Sequence, residues 1–327
     1  MTRIFTDGAE FGDNYFFSSG GSISSSSPRT GSYCYRVWES SGYKNILSVS
    51  EVYLRVAIWL SAFSSSFVLA AFRKGTTTLG SIKMNATSHV LEFYVGGTLV
   101  ASGTIPTISS GWFLLEWHYK LDNSGVSQIK YEGVLDIDYS GDTTPDSNTN
   151  FDNIYFASTN GIGMAIDDLA LNDTGNSDGK GDNSWCGDGR IEILMPNGNG
   201  NVNEWTGSDS NSTDNYALVD EVPPSSTDYV EDSTPGNQDA YTITDFTGTN
   251  KQILRVWAEA RAMDTVPEGA QMKIGLRTNS TDYLSAAKTL LTSYSVVKGD
   301  EYKLNPNDSA AWEDADLDAL ELVLETV

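Results

Sequence analysis

The stretch WFLLEWHYKLDNSGVSQIKYEG, residues 112–133, constrains the fold most. Two runs rich in aromatic and β-branched residues flank the polar turn LDNSG, the pattern of a β-hairpin. The first run is apolar except for Glu116 and His118, so one of its faces belongs in a core. Its other face can support a second sheet, a loop or a partner. The same grammar fills the first half of the chain. Residues 49–61, VSEVYLRVAIWLS, set aromatic and β-branched positions against Glu51 and Arg55 with a period nearer two than 3.6. Further short runs fall at 67–73, 81–84, 90–95, 98–103, 134–137 and 153–157, separated by Gly96-Gly97, Gly111, Gly133 and the Gly141 loop. Many short strands with turn signals between them predict an antiparallel sandwich.

At 327 residues the chain has the length of about two domains. The small polar stretch at 172–189, NDTGNSDGKGDNSWCGDG, places a boundary near residue 180, giving domains 1–178 and 179–327. The second domain begins with a long polar region, 197–238, in which Trp205, Tyr216, Leu218, Val219, Tyr229 and Val230 are isolated apolar anchors. Strand-like runs follow at 240–246, 253–262, 270–278 and 293–297. Residues 316–324 hint at a helix, although the closing LELVLETV equally fits a strand. The predicted fold class is all-β, two antiparallel β-sandwich (jelly-roll) domains in tandem.

Charge and cysteine content narrow the function. With 20 basic and 44 acidic residues the formal charge is -24, and no basic cluster offsets it, which excludes direct nucleic-acid binding. Cys34 and Cys186 are too sparse for a disulfide scaffold or a zinc site and read as free thiols. The start MTRIFTDGAEFGD lacks the apolar core of a secretory leader, and the apolar run at 56–62 is too short to span a bilayer. Export and membrane insertion are not expected.

The densest carboxylate group is Asp136, Asp138, Asp142 and Asp146, with Asp167 and Asp168 some thirty residues on. Calcium takes six to eight oxygens from flexible loops, so these six are candidate calcium ligands, although the spacing is not that of an EF-hand. The competing reading is a solvated acidic turn and an Asp pair bound to loop backbone. Otherwise no cofactor is expected. Glu116 and Glu132, on the two arms of the hairpin, are the pair a glycosidase would need, but a close E-x-D-x-x-E arrangement is absent. With His89 and His118 as the only histidines, neither a His-rich metal site nor a redundant serine triad can be built. His118 reads as a partly buried strand residue. Rings in polar surroundings suit sugar faces, which makes Trp38, Trp185, Trp205 and Tyr216 candidate glycan-binding residues. The alternative is that such rings cap the ends of a core. Trp205, Tyr216, Val219 and Tyr229 are candidate interface residues.

The segments WHYKLDNSGVSQIKYEGVLDIDYSGDT, FDNIYFAS and AIDDLALND resemble the concanavalin A-like or laminin G-like jelly-roll superfamily over residues 1–175. The resemblance implies a lectin-type fold. GDGRIEILMPNGNGNVNEW, NYALVDEVPPSSTDYV, QILRVWAEARA and AWEDADLDALELVLE are similar to segments in virion proteins of tailed bacteriophages, through Asp188 to Arg190, Asn197 to Gly200, Trp205, Asp220 to Pro223, Tyr229 and Trp312. That likeness implies a non-enzymatic virion structural protein of head or tail, assembled in the host cytoplasm, homo-oligomeric and partnered by capsid or tail proteins. The alternative is a lectin-like module that binds a host surface glycan, with or without calcium. A polysaccharide-cleaving enzyme using Glu116 or Glu132 is the third reading.

Overall fold

A computed structural model describes residues 3–106, 110–158, 161–175, 183–248, 251–266 and 269–327. The chain divides into two compact units, Met1–Glu192 and Ile193–Val327. The boundary lies beyond the glycine-rich stretch because residues 184–191 pack back on the first unit.

In the first unit the strands are β1 (Arg3–Asp7), β2 (Ser19–Gly20), β3 (Ser22–Ser24), β4 (Cys34–Arg36), β5 (Ser41–Val49), β6 (Glu51–Leu60), β7 (Phe67–Lys74) and β8 (Thr77–Met84). They continue with β9 (Leu91–Val95), β10 (Thr98–Ser102), β11 (Gly111–Lys120), β12 (Gly125–Tyr131), β13 (Val134–Gly141), β14 (Phe151–Ala157) and β15 (Met164–Asp173). Among the described residues they form two antiparallel sheets. The front sheet runs β13-β12-β11-β6-β15-β4-β3 with β1 also paired to β15, and the back sheet runs β10-β9-β8-β7-β14-β5-β2. The expected hairpin is present as β11 and β12, in register from Leu115 opposite Tyr131 to Lys120 opposite Val126.

Alternation along the strands builds the core between the sheets. Val52, Leu54, Val56 and Ile58 of β6 and Phe113, Leu115, Trp117 and Tyr119 of β11 point inward, against Phe72, Phe93 and Phe151 from the back sheet. Trp117 lies 4.5 Å from Phe72 between ring centroids, and Tyr119 stacks on Phe72 at 5.5 Å with 6° between planes. Each such ring contributes about 2–3 kcal/mol by leaving water. The stack requires Gly80 opposite it, because a Cβ there would sit 2.7 Å from the Tyr119 ring.

The second unit is also antiparallel β. Its strands are β16 (Pro196–Asn203), β17 (Thr206–Gly207), β18 (Val230–Glu231), β19 (Gln238–Ile243), β20 (Glu259–Ala262), β21 (Gln271–Thr278), β22 (Thr281–Leu284), β23 (Lys288–Thr289), β24 (Ser295–Lys298) and β25 (Glu321–Thr326). A main sheet orders β16-β19-β25-β21-β22 with β23 beside β21, and β17-β18 and β20-β24 form two small ribbons. The closing residues resolve into a short helix, α1 (Asp314–Asp318), followed by β25. Composition hid β16, PNGNGNVN, inside the long polar region: Gly200 packs directly on Ala240, where a Cβ would come within 2.8 Å. Among the described residues no helix is long and apolar enough to cross a membrane.

Candidate functional site

The outward face of the front sheet carries most of the first unit's chemistry. Register aligns Asn172, Tyr53, His118, Gln128 and Asp138 as successive cross-strand partners across β15, β6, β11, β12 and β13. The adjacent row is Ala170, Arg55, Glu116, Lys130 and Leu135. Side chains at paired positions leave the sheet on one face, so these residues form two parallel ladders, the first polar throughout and the second polar at Arg55, Glu116 and Lys130.

His118 is the hub of the first ladder. Its ring stacks on Tyr53 at 4.1 Å with 7° between planes. Its Nε2 lies 2.8 Å from Glu51 Oε1 and its Nδ1 lies 3.2 Å from Gln128 Oε1. The Gln128 amide donates to Asp138 Oδ1 at 2.9 Å, which turns its oxygen toward His118 and assigns a hydrogen to Nδ1. Glu51 also lines a cavity of about 440 Å³ together with Ser48, Ser50, Asn150 and Asp173.

A strap formed by residues 184–191 crosses this face. The Asn172 amide donates to the Ser184 carbonyl at 2.8 Å, and Gly187 N–H donates to Glu116 Oε1 at 2.9 Å. Between them Trp185 meets Tyr53 edge-on at 5.5 Å, with the Lys130 ammonium 3.8 Å over its ring. Cys186 turns inward, its thiol donating toward the Tyr53 carbonyl at 3.4 Å. The strap explains why Arg55 and Glu116 are only 3% exposed although they point away from the core.

Farther along β15 a bulge at Asp167 and Asp168 turns both carboxylates outward, with Asp168 at φ 50°. The β3–β4 loop supplies their donors. Arg29 and Thr30 N–H groups donate to Asp167, and the Arg29 guanidinium bonds Asp168 Oδ2 at 2.8 Å. Ile191 N–H of the strap donates to Asp168 Oδ1 at 2.7 Å. Burial, reinforced by the Asp168 charge, pushes Asp167 up to about 8, and burial with the Asp167 charge pushes Glu10 up to about 8.

The six candidate calcium ligands are dispersed. Asp136 accepts the Thr104 and Ile105 N–H groups, Asp138 serves Gln128, and Asp142 and Asp146 close turns onto Thr144 and Asn148. Asp167 and Asp168 are held by the Arg29 loop. Among the described residues no group of three or more His, Cys, Asp or Glu is arranged to hold a metal ion. Of the four glycan candidates, Trp185 lies on the front face, and Trp38 is 46% exposed with the Arg36 guanidinium 3.9 Å over its ring. Trp205 is 7% exposed in the second unit's core, with Tyr216 packed on it. Of the interface candidates, Tyr216 and Val219 pack on that same core and remain, like Tyr229, half-buried. Glu116 and Glu132 do not converge: Glu132 sits in the β12–β13 turn and accepts Leu114 N–H at 2.8 Å. Sequence reading missed Tyr53, Arg55, Gln128 and Lys130. The cue was available in the polar positions alternating along VYLRV and VSQIKY.

No family model matches the chain, and no curated protein does. Among solved structures it is similar to an endo-β-1,4-glucuronan lyase from the fungus Trichoderma reesei, at 13% identity over 53% of this chain and 96% of that one, with a TM-score of 0.40. It is also similar to a carbohydrate esterase of the Shiga toxin-encoding bacteriophage phi24B, at 15% identity over 52% and 97% with a TM-score of 0.40. A third likeness is to carbohydrate-binding module CBM66 from Bacillus subtilis, at 11% identity over 47% and 92% with a TM-score of 0.34. These are described as carbohydrate-acting enzymes and a carbohydrate-binding module, and none is described as a virion structural protein. The expectations of a non-enzymatic phage virion subunit, of capsid or tail partners and of a place in the virion are corrected accordingly. At this level of similarity the chain's chemistry has to be argued from its own residues.

Proposed function

We propose that the first unit, taken as a jelly-roll sandwich, binds a carbohydrate chain along the outward face of β6, β11, β12 and β13. The observation that carries this is the in-register ladder Tyr53, His118, Gln128, Asp138, with the Trp185 ring laid against its edge. Sugar recognition needs an apolar ring for a pyranose face and directional donors and acceptors for hydroxyls. Trp185 and Tyr53 supply rings, while Gln128, Lys130, Asp138 and Glu51 supply polar groups of both kinds. The strap forms one wall of the site, because it holds Trp185 in place and covers Arg55 and Glu116. The test is a glycan array and affinity electrophoresis in polysaccharide gels with the full chain. Retardation that Trp185→Ala and Gln128→Ala each weaken about tenfold supports the reading. Failure to bind any glycan overturns it.

One observation favours a second reading, cleavage of the bound chain. His118 joins Glu51 and Gln128 through its two ring nitrogens beside Tyr53, and imidazole is the side chain that general acid–base catalysis uses most. If the site is catalytic, incubation with a bound polysaccharide releases new reducing ends, and His118→Ala abolishes their release beyond any loss of binding the same variant shows in gel retardation. Equal release by wild type and His118→Ala removes His118 from that role.

A further inference from the structure

Buried oxygens that accept no hydrogen are rare in folded proteins, and the second unit gathers four of them. They are the Oδ1 atoms of Asn199, Asn203, Asn215 and Asp239. Asn203 is the cross-strand partner of Asp239 and Asn199 of Tyr241, with a bulge in β16 between the two pairs, and Asp239 and Tyr241 share one face of β19. The loop at 208–215 folds over that face. The Asn199 and Asn203 amides donate to the backbone carbonyls of Thr213 and Ser212. The Asn215 amide donates to Asp239 Oδ2 at 2.7 Å and to the Trp205 carbonyl at 2.9 Å. Asn215 and Asp239 are both 0% exposed. The side-chain donors to Asp239 are neutral, the Tyr241 hydroxyl at 2.6 Å and the Asn215 amide, and both bind Oδ2.

We propose that this face and loop bind a hard divalent cation of the calcium type. Calcium accepts about six to eight oxygens and mixes carboxylate, amide and backbone carbonyl ligands. The four unpaired side-chain oxygens and the carbonyls of Ser212 and Thr213 make six. A half-turn of the Asn199 and Asn203 amides about χ2 exchanges oxygen for nitrogen without moving the backbone, and it would turn both oxygens toward those carbonyls. Asp239 contributes the negative charge. The ligand set also selects the metal. The second unit contains neither histidine nor cysteine, so it offers no soft ligand for zinc or copper. Magnesium needs near-ideal octahedral geometry and retains its waters, which a set of two strands and a loop does not suit. Sequence reading overlooked this site because asparagine and backbone oxygens leave no carboxylate signature.

The experiment uses the full chain stripped with chelator. Terbium is added with excitation of tryptophan and tyrosine, and thermal unfolding is followed with calcium or magnesium. The expected result is terbium emission sensitised by the neighbouring Trp205 and Tyr241 and displaced by calcium. Calcium at a hundredfold excess over its Kd should raise the unfolding midpoint by roughly 5–10 °C. Asn203→Leu should weaken calcium binding at least tenfold. To separate a loss of binding from a loss of folding, Asn199→Asp and Asn203→Asp provide volume-conserving variants whose added charge should tighten binding. Glu10→Gln combined with Asp167→Asn leaves the second unit untouched and should retain the affinity. Absence of both terbium emission and a calcium-dependent shift at millimolar calcium overturns the proposal, leaving buried waters to satisfy the oxygens. So does loss of binding in the Glu10→Gln/Asp167→Asn variant, which would place the ion in the first unit. Unchanged affinity in both aspartate variants overturns it as well.

Discussion

The two units bring their core tryptophans in by different routes. In the first unit Trp117 comes from a strand, alternating inward from β11 with Tyr119 to meet Phe72 of β7 and Phe151 of β14 between the sheets. In the second unit the two core tryptophans come from loops. Trp205 and Trp312 donate their indole N–H groups to the backbone carbonyls of Asn237 and Tyr302, at 3.2 and 3.0 Å. A ring on a strand is placed by the period of the pleat, whereas a ring on a loop is placed by the hydrogen bond at its tip. The first core is therefore written locally in the sequence, and the second depends on long-range closure.

Truncation of these rings is the most direct way to break the contrast. Trp117 is 0% exposed and its indole N–H donates to Ser127 at 2.9 Å, so Trp117→Ala should cost about 4–5 kcal/mol in denaturant unfolding. Trp312→Ala, at 5% exposure and on a loop able to collapse, should cost about 3 kcal/mol. The Trp-to-Phe pair sharpens the comparison. Phe at 312 loses the tether that positions the ring, so its loss should be the larger fraction of the corresponding alanine loss. Equal fractions at 117 and 312 would remove the distinction between strand-set and tip-set rings.

The next effect in size belongs to the acidic end of β15. Glu10 and Asp167 are both raised to about 8 by burial and by neighbouring charge. A carboxyl whose folded value lies above its unfolded one binds protons more tightly when folded, so its stabilising contribution is present in acid and lost as pH rises through the folded value. Unfolding free energy should therefore fall between about pH 4.5 and pH 8 as the coupled pair gives up its protons. Glu10→Gln and Asp167→Asn should flatten that slope and raise stability at pH 8.5. A slope that persists in the double variant would place the titrating groups elsewhere.

Much of this architecture was legible in the residues. The β11–β12 hairpin follows from two apolar runs around LDNSG, and most strands of the first unit fall where turn signals bracket β-branched runs. The ladder on the front face was harder to see. It depends on register between strands distant in sequence: Tyr53 meets His118, and His118 meets Gln128, only once pairing is known. The strap was invisible for another reason. Glycine and serine at 172–189 read as a linker or surface loop, and its attachment to the first unit joins backbone N–H groups of Gly187 and Ile191 to contacts of Trp185 and Cys186 whose partners are distant in sequence. Trp205 was misread as a surface ring because its polar neighbours in sequence are not its neighbours in space. Composition reports exposure on average, and a loop that folds back over a core defeats that average.

The smallest predicted effect separates the two remaining candidate sugar rings. Trp38 is 46% exposed beside the Arg36 guanidinium, an arrangement worth about 0.5–1 kcal/mol at an exposed site. Trp185 packs on Tyr53 and under Lys130, and its strap is anchored on both sides by hydrogen bonds. Trp38→Ala should change stability by less than about 1 kcal/mol, and Trp185→Ala by about 1–2 kcal/mol. Binding should separate the pair far more sharply than stability does. Trp185 lies against the polar ladder and Trp38 beyond its end, so Trp185→Ala should weaken polysaccharide retardation about tenfold and Trp38→Ala less than twofold. Equal weakening by both would extend the binding face toward β4, and weakening by Trp38→Ala alone would move the site off the ladder altogether.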